Sequence, residues 1–215
     1  MGMSVHEIVI VGAGGLGRTV KWLIDRINTD RAAWNIIGFV DDAVTTMPSA
    51  YPAVLGEVAF LKSMARPLAV VLALGKSQVR RSVFERISTN RQLYFPTLID
   101  PEAVVSDTTS IGQGVLVFAS AVISPDITLD RFVHINQCCS VGHDTMIGEF
   151  STLYPSAVIS GNVKIGQECE FGANSCVLQD VTIADRVKVG AGAVVTKTIN
   201  EEGSTYTGVP ARKKI

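Results

Sequence analysis

The sequence has little of what secreted, membrane-spanning or polyanion-binding proteins need. Four cysteines in 215 residues without Cys-x-x-Cys pairing are sparse for a disulfide framework and indicate reduced thiols in a cytoplasm. The longest unbroken apolar run, residues 68–74, falls far below the ~18 residues that cross a bilayer. With 19 basic and 20 acidic residues, no basic field gathers nucleic acid or anionic lipid. We expect a cytoplasmic protein without nucleic-acid or membrane partners.

The first part of the chain alternates short apolar runs with helical patterns. Ile8–Val11 is a β-branched run, and apolar residues then recur at helical spacing at positions 16, 20, 23, 24 and 27. Residues 36–40 and 68–74 indicate further buried strands. Ser77 is a candidate cap for a second helix whose apolar side is Val79, Val83, Phe84 and Ile87. This pattern predicts a small Rossmann-like parallel α/β domain over residues 1–98, covered on both faces of its sheet.

After residue 98 the helical period disappears. From Ile99 to Val195 every sixth residue is aliphatic or Phe, at 17 of 17 positions and without an insertion. Four positions after most of these comes a small or β-branched residue, such as Ala103 or Ala157. Two inward positions per hexad, with three hexads per coil, predict an all-β solenoid over residues 99–215. The spacing alone does not fix the hand of the solenoid.

A glycine-rich loop follows the first strand. Residues 12–17, G-A-G-G-L-G, match G-x-G-x-x-G, and Asp41-Asp42 ends the next strand as a ribose-binding acid does. The α/β part is too short for a second mononucleotide half, which argues against NAD. We expect loop amides and a helix N-terminus to bind phosphate or ribose. A carboxylate is expected to accept a hydrogen bond from the base or the ribose. Glycines that serve only tight strand-to-helix packing are the alternative.

The chain has three histidines, of which one is well placed for chemistry. His143 follows the inward-pointing Val141 by two residues, at a corner between strands, and Asp144 is its neighbour. An imidazole accepts a proton near neutral pH, and a carboxylate bonded to the ring fixes its tautomer, so the pair is a candidate general base. An ordinary Gly-His-Asp turn is the alternative. We expect His134 at the surface and His6 in solvent.

The cysteines are poorer candidates for catalysis. Cys139 and Cys169 occupy inward positions and are expected to fill the core. We therefore expect no covalent acyl-cysteine intermediate.

Several segments together resemble a known family. The hexads, V-G-H-D-T-M-I-G-E-F, S-G-N-V-K-I-G and the closing G-V-P-A-R resemble the left-handed β-helix (hexapeptide-repeat) acyltransferases. With G-A-G-G-L-G and F-V-D-D, the whole chain resembles the branch that N-acetylates nucleotide-linked 4-amino sugars in bacillosamine and perosamine pathways, related to sialic acid O-acetyltransferases. The resemblance implies a left-handed parallel β-helix, acetyl-CoA as cosubstrate, no metal, and a homotrimer with active sites between subunits.

The resemblance also implies roles for single residues of the solenoid. His143 is then the general base, Asp144 its support, and Asn136 part of the acceptor site. The related enzymes more often carry Glu after the histidine and a second His where this chain has Thr152. The residues implied to contact the cofactor are Thr152, Gly161 through its backbone N–H, and Ala173 and Ala191, for which turn packing is the alternative. Residues 212–214 meet coenzyme A phosphates or form a frayed end.

The nucleotide of the acceptor is assigned by the same resemblance to the α/β domain. Its candidate contacts are Gly14, Gly15, Leu16, Asp41, Asp42 and Gly75. Lys76 and Arg80 lie close by in sequence and are candidates for a pyrophosphate. For Arg80, a solvated helix face is the alternative.

The predicted activity is direct acetyl transfer to the 4-amino group of a nucleotide-linked 4-amino-4,6-dideoxy sugar, GDP-perosamine-like or UDP-bacillosamine-precursor-like. An O-acetyltransferase acting on a sugar such as sialic acid is the alternative. A zinc hydratase of the γ-carbonic-anhydrase type needs three histidines per metal, whereas the solenoid has two. A nucleotide sensor without catalysis is a third class. The nucleobase and the sugar stereochemistry stay open.

Overall fold

The structure, a computed structural model, describes residues 5–214. The chain divides into two compact units, Met1–Pro101 and Glu102–Ile215. The first unit has strands and helices in alternation, and the second consists of short strands joined by tight turns.

The first unit is a five-stranded parallel sheet with two α-helices. Its strands follow the order β3-β2-β1-β4-β5. Its elements are β1 (His6–Val11), α1 (Gly15–Asp30), β2 (Trp34–Val40), β3 (Val54–Gly56), a 3₁₀ helix (Val58–Ser63), β4 (Leu68–Leu72), α2 (Ser77–Ile87), β5 (Leu93–Tyr94) and β6 (Leu98–Ile99). The predicted α/β arrangement is confirmed.

Burial follows the apolar pattern in this unit, with one correction. Residues 8–11 and 68–72 are at most 3% exposed, as expected of central parallel strands with both faces covered. The expected cap of α2 is wrong: Ser77 is buried inside the first turn, Lys76 occupies the N-cap position, and no side chain caps the helix. Val79 is 46% exposed, so the apolar side of α2 is narrower than predicted and centres on Val83 and Ile87.

The second unit is a column of stacked coils with three parallel sheets. Each strand pairs with the strands 18 residues before and after it, as Val122 does with Val104 and Ser140. The strands are β7 (Val104–Val105), β8 (Ser110–Ile111), β9 (Leu116–Val117), β10 (Val122–Ile123), β11 (Thr128–Leu129), β12 (His134–Ile135), β13 (Ser140–Val141), β14 (Met146–Ile147), β15 (Thr152–Leu153), β16 (Val158–Ile159), β17 (Lys164–Ile165), β18 (Glu170–Phe171), β19 (Cys176–Val177), β20 (Thr182–Ile183), β21 (Lys188–Val189), β22 (Val194–Val195), β23 (Thr205–Thr207) and β24 (Arg212–Lys213).

The three sheets form three faces of the column. The first face holds β7, β10, β13, β16, β19 and β22, the second β8, β11, β14, β17 and β20, and the third β9, β12, β15, β18, β21 and β23. At the end of the third face, β24 runs antiparallel to β23. The predicted solenoid with three strands per coil is confirmed.

Side chains at the predicted inward positions form the core of the column. From Val117 to Val195 every sixth residue is at most 5% exposed. Cys139 and Cys169 are buried as expected of core fillers. Burial of this apolar surface is the main term that offsets the entropy cost of ordering so many short strands.

From the turn that contains Gly114 to the turn that contains Gly192, one residue of each turn adopts a left-handed backbone conformation. Every sixth residue from Gly114 to Gly192 has φ between +54° and +69°, and twelve of these residues are not glycine. Asp and Asn tolerate this conformation best among residues with a side chain. Asp144 is one of them, with φ of +57°.

Candidate functional site

His143 and Asp144 lie together in the turn between β13 and β14. The left-handed backbone of Asp144 directs its carboxylate to the preceding ring, where Oδ2 lies 2.7 Å from His143 Nδ1. With Nδ1–H donating to the carboxylate, Nε2 keeps its lone pair as a proton acceptor. The two side chains are 68% and 61% exposed, so the acceptor nitrogen is accessible.

Gly161 lies one coil further along the column, directly against the imidazole. A Cβ at this position would lie 2.8 Å from both Cε1 and Nε2 of His143, so only glycine leaves room for the ring. The two turns are also joined by backbone, since Asn162 N donates to His143 O at 2.8 Å. Within residues 5–214 the Gly161 N–H donates to no backbone carbonyl, which leaves it available as a donor in the turn that contacts the ring.

The remaining predicted solenoid residues lie elsewhere on the column. We call the turns 124–127, 142–145, 160–163 and 178–181, between the first and second faces, the His143 edge. The turns 118–121, 136–139, 154–157, 172–175 and 190–193, between the third and first faces, form the Asn136 edge. Asn136, Ala173 and Ala191 share that second edge, and Asn136 Nδ2 donates to Leu153 O at 2.6 Å. Within one chain the structure thus separates these three residues from His143, and both edges flank the first face.

Thr152 lies on neither edge. It pairs in register with His134 on the third face, and both residues are 1% exposed. The expectation that His134 is a surface residue is wrong, because the hexad phase tells which side chains point out of the coil but not whether the sheet is covered there. Leu116, at the same outward position one coil earlier, is also fully buried.

In the first unit, the glycine-rich loop combines two kinds of glycine. A Cβ at Gly12 would lie 2.6 Å from Ala73 O, and one at Gly17 would lie 1.9 Å from Gly12 O, so these two positions serve tight packing. At Gly14 and Gly15 a Cβ would meet nothing within 4 Å. Tight packing therefore explains Gly12 and Gly17. The backbone amides at Gly14, Gly15 and Leu16 lie at the N-terminus of α1 and remain accessible to a ligand.

The two acidic residues after β2 are bonded to the protein itself. Asp41 accepts from Ala13 N at 2.8 Å through Oδ2, and from Ala43 N and Val44 N through Oδ1. Burial raises the pKa of Asp41, but these three N–H bonds outweigh it and hold the pKa below its usual value. Asp41 thus fastens the glycine-rich loop to the end of β2.

Asp42 is held by a charged partner and a backbone donor. Arg86 Nη1 donates to Asp42 Oδ2 at 2.7 Å, and Val58 N donates to Oδ1 at 2.8 Å. These bonds, the one from Arg86 first, lower the pKa of Asp42. The predicted contacts of both carboxylates with a nucleotide stay predictions.

A cavity of about 170 Å³ opens at the carboxyl ends of the central strands, with Val11, Val40, Asp41, Asp42, Leu74 and Val83 among its lining residues. The strand order changes direction between β1 and β4, and ligands of open α/β sheets bind at such switch points. This cavity is therefore a candidate ligand pocket of the first unit.

The segment after β4 borders this cavity. Gly75 is half-buried and Lys76 exposed at the start of α2. Arg80 is fully buried, and its Nη1 donates to Leu74 O at 2.7 Å and lies 3.4 Å from Gly75 O. The solvated helix face considered for Arg80 is wrong. Its contact with a pyrophosphate stays a prediction, one that requires the guanidinium to leave these carbonyls.

At the far end of the column, basic residues surround a larger cavity of about 460 Å³. Its lining includes Lys197, Tyr206, Arg212 and Lys213. Arg212 and Lys213 belong to β24, and Lys213 forms an ion pair with Glu201, so a frayed end is wrong for these two residues. Lys197 and Tyr206 were missed by the sequence analysis because they are 9 residues apart and carry no motif.

The cysteines, metals and membranes add three observations. Burial raises the pKa of Cys139 to about 11 and that of Cys169 to about 12, which keeps both thiols protonated and poor nucleophiles. Residues 5–214 contain no cluster of three or more His, Cys, Asp or Glu side chains arranged to hold a metal ion. Neither helix of that part of the chain has the length and apolar character needed to cross a bilayer.

Two family models match separate parts of the chain. Residues 7–87 match the PglD N-terminal domain, and residues 162–197 match the bacterial transferase hexapeptide (six repeats). A GDP-perosamine N-acetyltransferase from Escherichia coli is 31% identical over 210 residues, which cover 95% of this chain and 94% of that protein.

Two solved structures share the fold over nearly their whole length. The acetyltransferase domain of PglB from Neisseria gonorrhoeae has a TM-score of 0.90 and 32% identity, covering 97% of this chain and 100% of the other. PerB from Caulobacter crescentus, in complex with CoA and GDP-perosamine, has a TM-score of 0.83 and 27% identity, covering all of both chains. These neighbours confirm the predicted fold, including the left hand of the β-helix. The chain belongs to the sugar N-acetyltransferase branch of the left-handed β-helix, hexapeptide-repeat acyltransferases.

Proposed function

We propose that this chain transfers the acetyl group of acetyl-CoA to the 4-amino group of a nucleotide-linked 4-amino-4,6-dideoxy sugar, of the GDP-perosamine or UDP-bacillosamine-precursor type. The observation that carries this proposal is the imidazole of His143, bonded to Asp144 through Nδ1 and open at Nε2. The relative from Escherichia coli, similar over almost the whole chain, supports the acceptor class.

His143 acts as the general base of the reaction. The sugar nitrogen attacks the thioester carbonyl carbon, and Nε2 accepts the proton that this nitrogen loses as the C–N bond forms. The C–S bond then breaks, and the imidazolium returns the proton to the departing thiolate. The products are the amide and free coenzyme A, with no acyl-enzyme.

Asp144 and Gly161 support the two charges that develop. Asp144 holds Nδ1–H at 2.7 Å, which keeps Nε2 as the acceptor and stabilises the imidazolium. Negative charge grows on the thioester oxygen, and the Gly161 N–H, in the turn that contacts the ring, is the donor suited to it. Asn136, Ala173 and Ala191 keep their proposed roles in lining the acceptor and pantetheine sites. Thr152 does not, because it lies on neither edge and is 1% exposed.

The nucleotide binds to the first unit. The open amides of Gly14 and Gly15 and the N-terminus of α1 suit a phosphate or ribose, and Lys76 adds a positive charge nearby. The cavity of about 170 Å³ suits the base. Asp41 contributes by fixing the loop, through the three N–H bonds described above.

A homotrimer completes the site. Four of the six outward side chains of the first face are valines, of which Val104, Val122 and Val158 are 63%, 43% and 40% exposed. Because both edges flank this face, copies packed cyclically on it bring the His143 edge of one subunit towards the Asn136 edge of the next. This arrangement accounts for the exposed His143 and for the separation of Asn136, Ala173 and Ala191 from it.

The test is acetyl-CoA-dependent release of free thiol with 4-amino sugars linked to GDP, UDP and dTDP, with sialic acid as the hydroxyl acceptor. We expect an N-acetylated product with one of the nucleotide sugars, identified by mass. His143→Ala lowers kcat by at least ~100-fold with little change in acetyl-CoA binding, whereas the exposed His6→Ala keeps activity. Near-normal turnover of the His143 variant removes this residue as the base.

A further inference from the structure

We propose that Thr145 is a positioning residue for acetyl transfer: its hydroxyl sets the turn 160–163 so that Gly161 seats the His143 ring. The proposal rests on the proposed function, because it assigns the hydroxyl a part in holding that function's general base. Thr145 touches neither substrate nor the reacting atoms. It acts through Gly161 and His143.

The hydroxyl bridges two backbone groups of the next coil. Thr145 is fully buried at an inward hexad position. Its Oγ1 donates to Ser160 O at 3.1 Å and accepts from Val163 N at 3.3 Å. His143 O lies further away, at 3.4 Å. The bridge therefore spans the turn that contains Gly161.

In several other turns of the column the corresponding backbone groups bond directly. Ala157 N donates to Tyr154 O at 3.1 Å, and Ser175 N donates to Gly172 O at 3.0 Å. In the turn 160–163 the hydroxyl oxygen stands between the N–H and the carbonyl instead. Loss of the hydroxyl removes a hydrogen-bond partner from both backbone groups, one of which belongs to the fully buried Val163, so the turn is free to change its shape.

The shape of this turn matters because it lies against His143 in two ways. The ring lies over the Gly161 Cα, at a distance where a methyl group does not fit. The backbone of His143 accepts from Asn162 N at 2.8 Å. A change in the backbone shape of the turn 160–163 therefore shifts the support of the ring. It also shifts the Gly161 N–H relative to Nε2.

The chain supplies a matched control in Ser151. Its Oγ donates to Gly166 O and accepts from Cys169 N, both at 2.9 Å, and the residue is fully buried. The bridge has the same sequence spacing as that of Thr145, to the carbonyl 15 residues on and the N–H 18 residues on. Ser151 lies between the second and third faces, away from the His143 edge.

The experiment compares Thr145→Val, Thr145→Ala, Thr145→Ser and Ser151→Ala in the full chain. Misplacement of a catalytic group by about 1 Å lowers the rate up to ~100-fold. We therefore expect kcat to fall about 10- to 100-fold in Thr145→Val and Thr145→Ala, the two deletion variants that lack the hydroxyl. KM for both substrates changes little, and Thr145→Ser restores kcat. Ser151→Ala keeps kcat even if it lowers the melting temperature as much. Equal losses of kcat at the two sites, or wild-type kcat in a folded deletion variant, overturn the proposal.

A readout independent of turnover separates this proposal from the proposed function. The Cε1–H and Cδ2–H NMR signals of His143 are assigned by loss in the His143→Ala variant, among the signals of three histidines. We expect these signals to shift in Thr145→Ala and Thr145→Val but not in Ser151→Ala. If the wild-type chain transfers no acetyl group, the proposed function fails while the shifts still test the positioning. Unshifted signals refute the positioning even in an active enzyme.

Discussion

Substitution of Gly161 by alanine tests the site most directly, because it places one methyl group against the His143 ring that we propose as the general base. The new Cβ would lie 2.8 Å from His143 Nε2 and Cε1, whereas ordinary contact begins at 3.4 Å. The ring therefore retreats by about 0.6 Å or rotates away, since repulsion rises steeply below contact distance. The backbone at Gly161 lies outside the left-handed region, so alanine adds no conformational strain.

The retreat acts on the chemistry rather than on binding. It stretches or breaks the 2.7 Å bond from Nδ1 to Asp144 and moves Nε2 from its position against Gly161. We expect kcat to fall about 10- to 100-fold, with KM for acetyl-CoA nearly unchanged. Because His143 is 68% exposed, its ring moves into solvent and the free energy of unfolding changes by about 0.5 kcal/mol or less.

The assay is steady-state thiol release by Gly161→Ala, His143→Ala and the double variant, with thermal unfolding of each. If the methyl group acts through the ring, Gly161→Ala lowers kcat no further in the His143→Ala background. Wild-type kcat in Gly161→Ala, or an equal further loss in the double variant, refutes the reasoning.

Two further predictions concern the loop and the assembly. Asp41→Asn lowers the free energy of unfolding at pH 7. The folded protein lowers the pKa of Asp41, so its carboxylate stabilises the fold above the ordinary pKa of 3.8, and this stabilisation is lost as the native group protonates at lower pH. Urea unfolding from pH 7 to below pH 3.8 therefore shows a free-energy difference between variant and wild type that narrows. Val122→Glu on the first face abolishes trimers and activity, whereas Met146→Glu, similarly exposed on the second face, keeps both; sedimentation of the two variants decides, and a monomeric active wild type contradicts the assembly.

The periodic part of the fold is predictable because its physical cause is local. An inward position every six residues fixes strands, turns and coil size at once, and burial from Val117 to Val195 follows it. The prediction for His134 was wrong, because the hexad repeat shows which side chains point outward from a sheet but not whether other residues cover them. The burial of Arg80 was equally invisible, since the carbonyls of Leu74 and Gly75, which accept from it, belong to backbone that no sequence pattern marks.

The candidate site was predictable in part. His143 and Asp144 are adjacent in sequence, so their contact needed only a turn between strands. The proposed role of Thr145 depends on groups 15 and 18 residues away and was missed, because threonine fits the pattern of small or β-branched residues at this hexad position. Ser151 fits the same hexad pattern, so sequence alone does not tell which of the two residues lies next to the His143 edge.

The reversal of direction at β24 bears on how the column stops. A parallel ladder offers at its last rung the same unpaired amides and carbonyls that every earlier rung used, and another molecule is able to add there. Here Tyr206 and Thr207 pair with Lys213 and Arg212 of an oppositely directed strand, which leaves exposed cations where a next coil would dock. The antiparallel pairing therefore occupies the backbone groups of β23 that a further parallel strand would use.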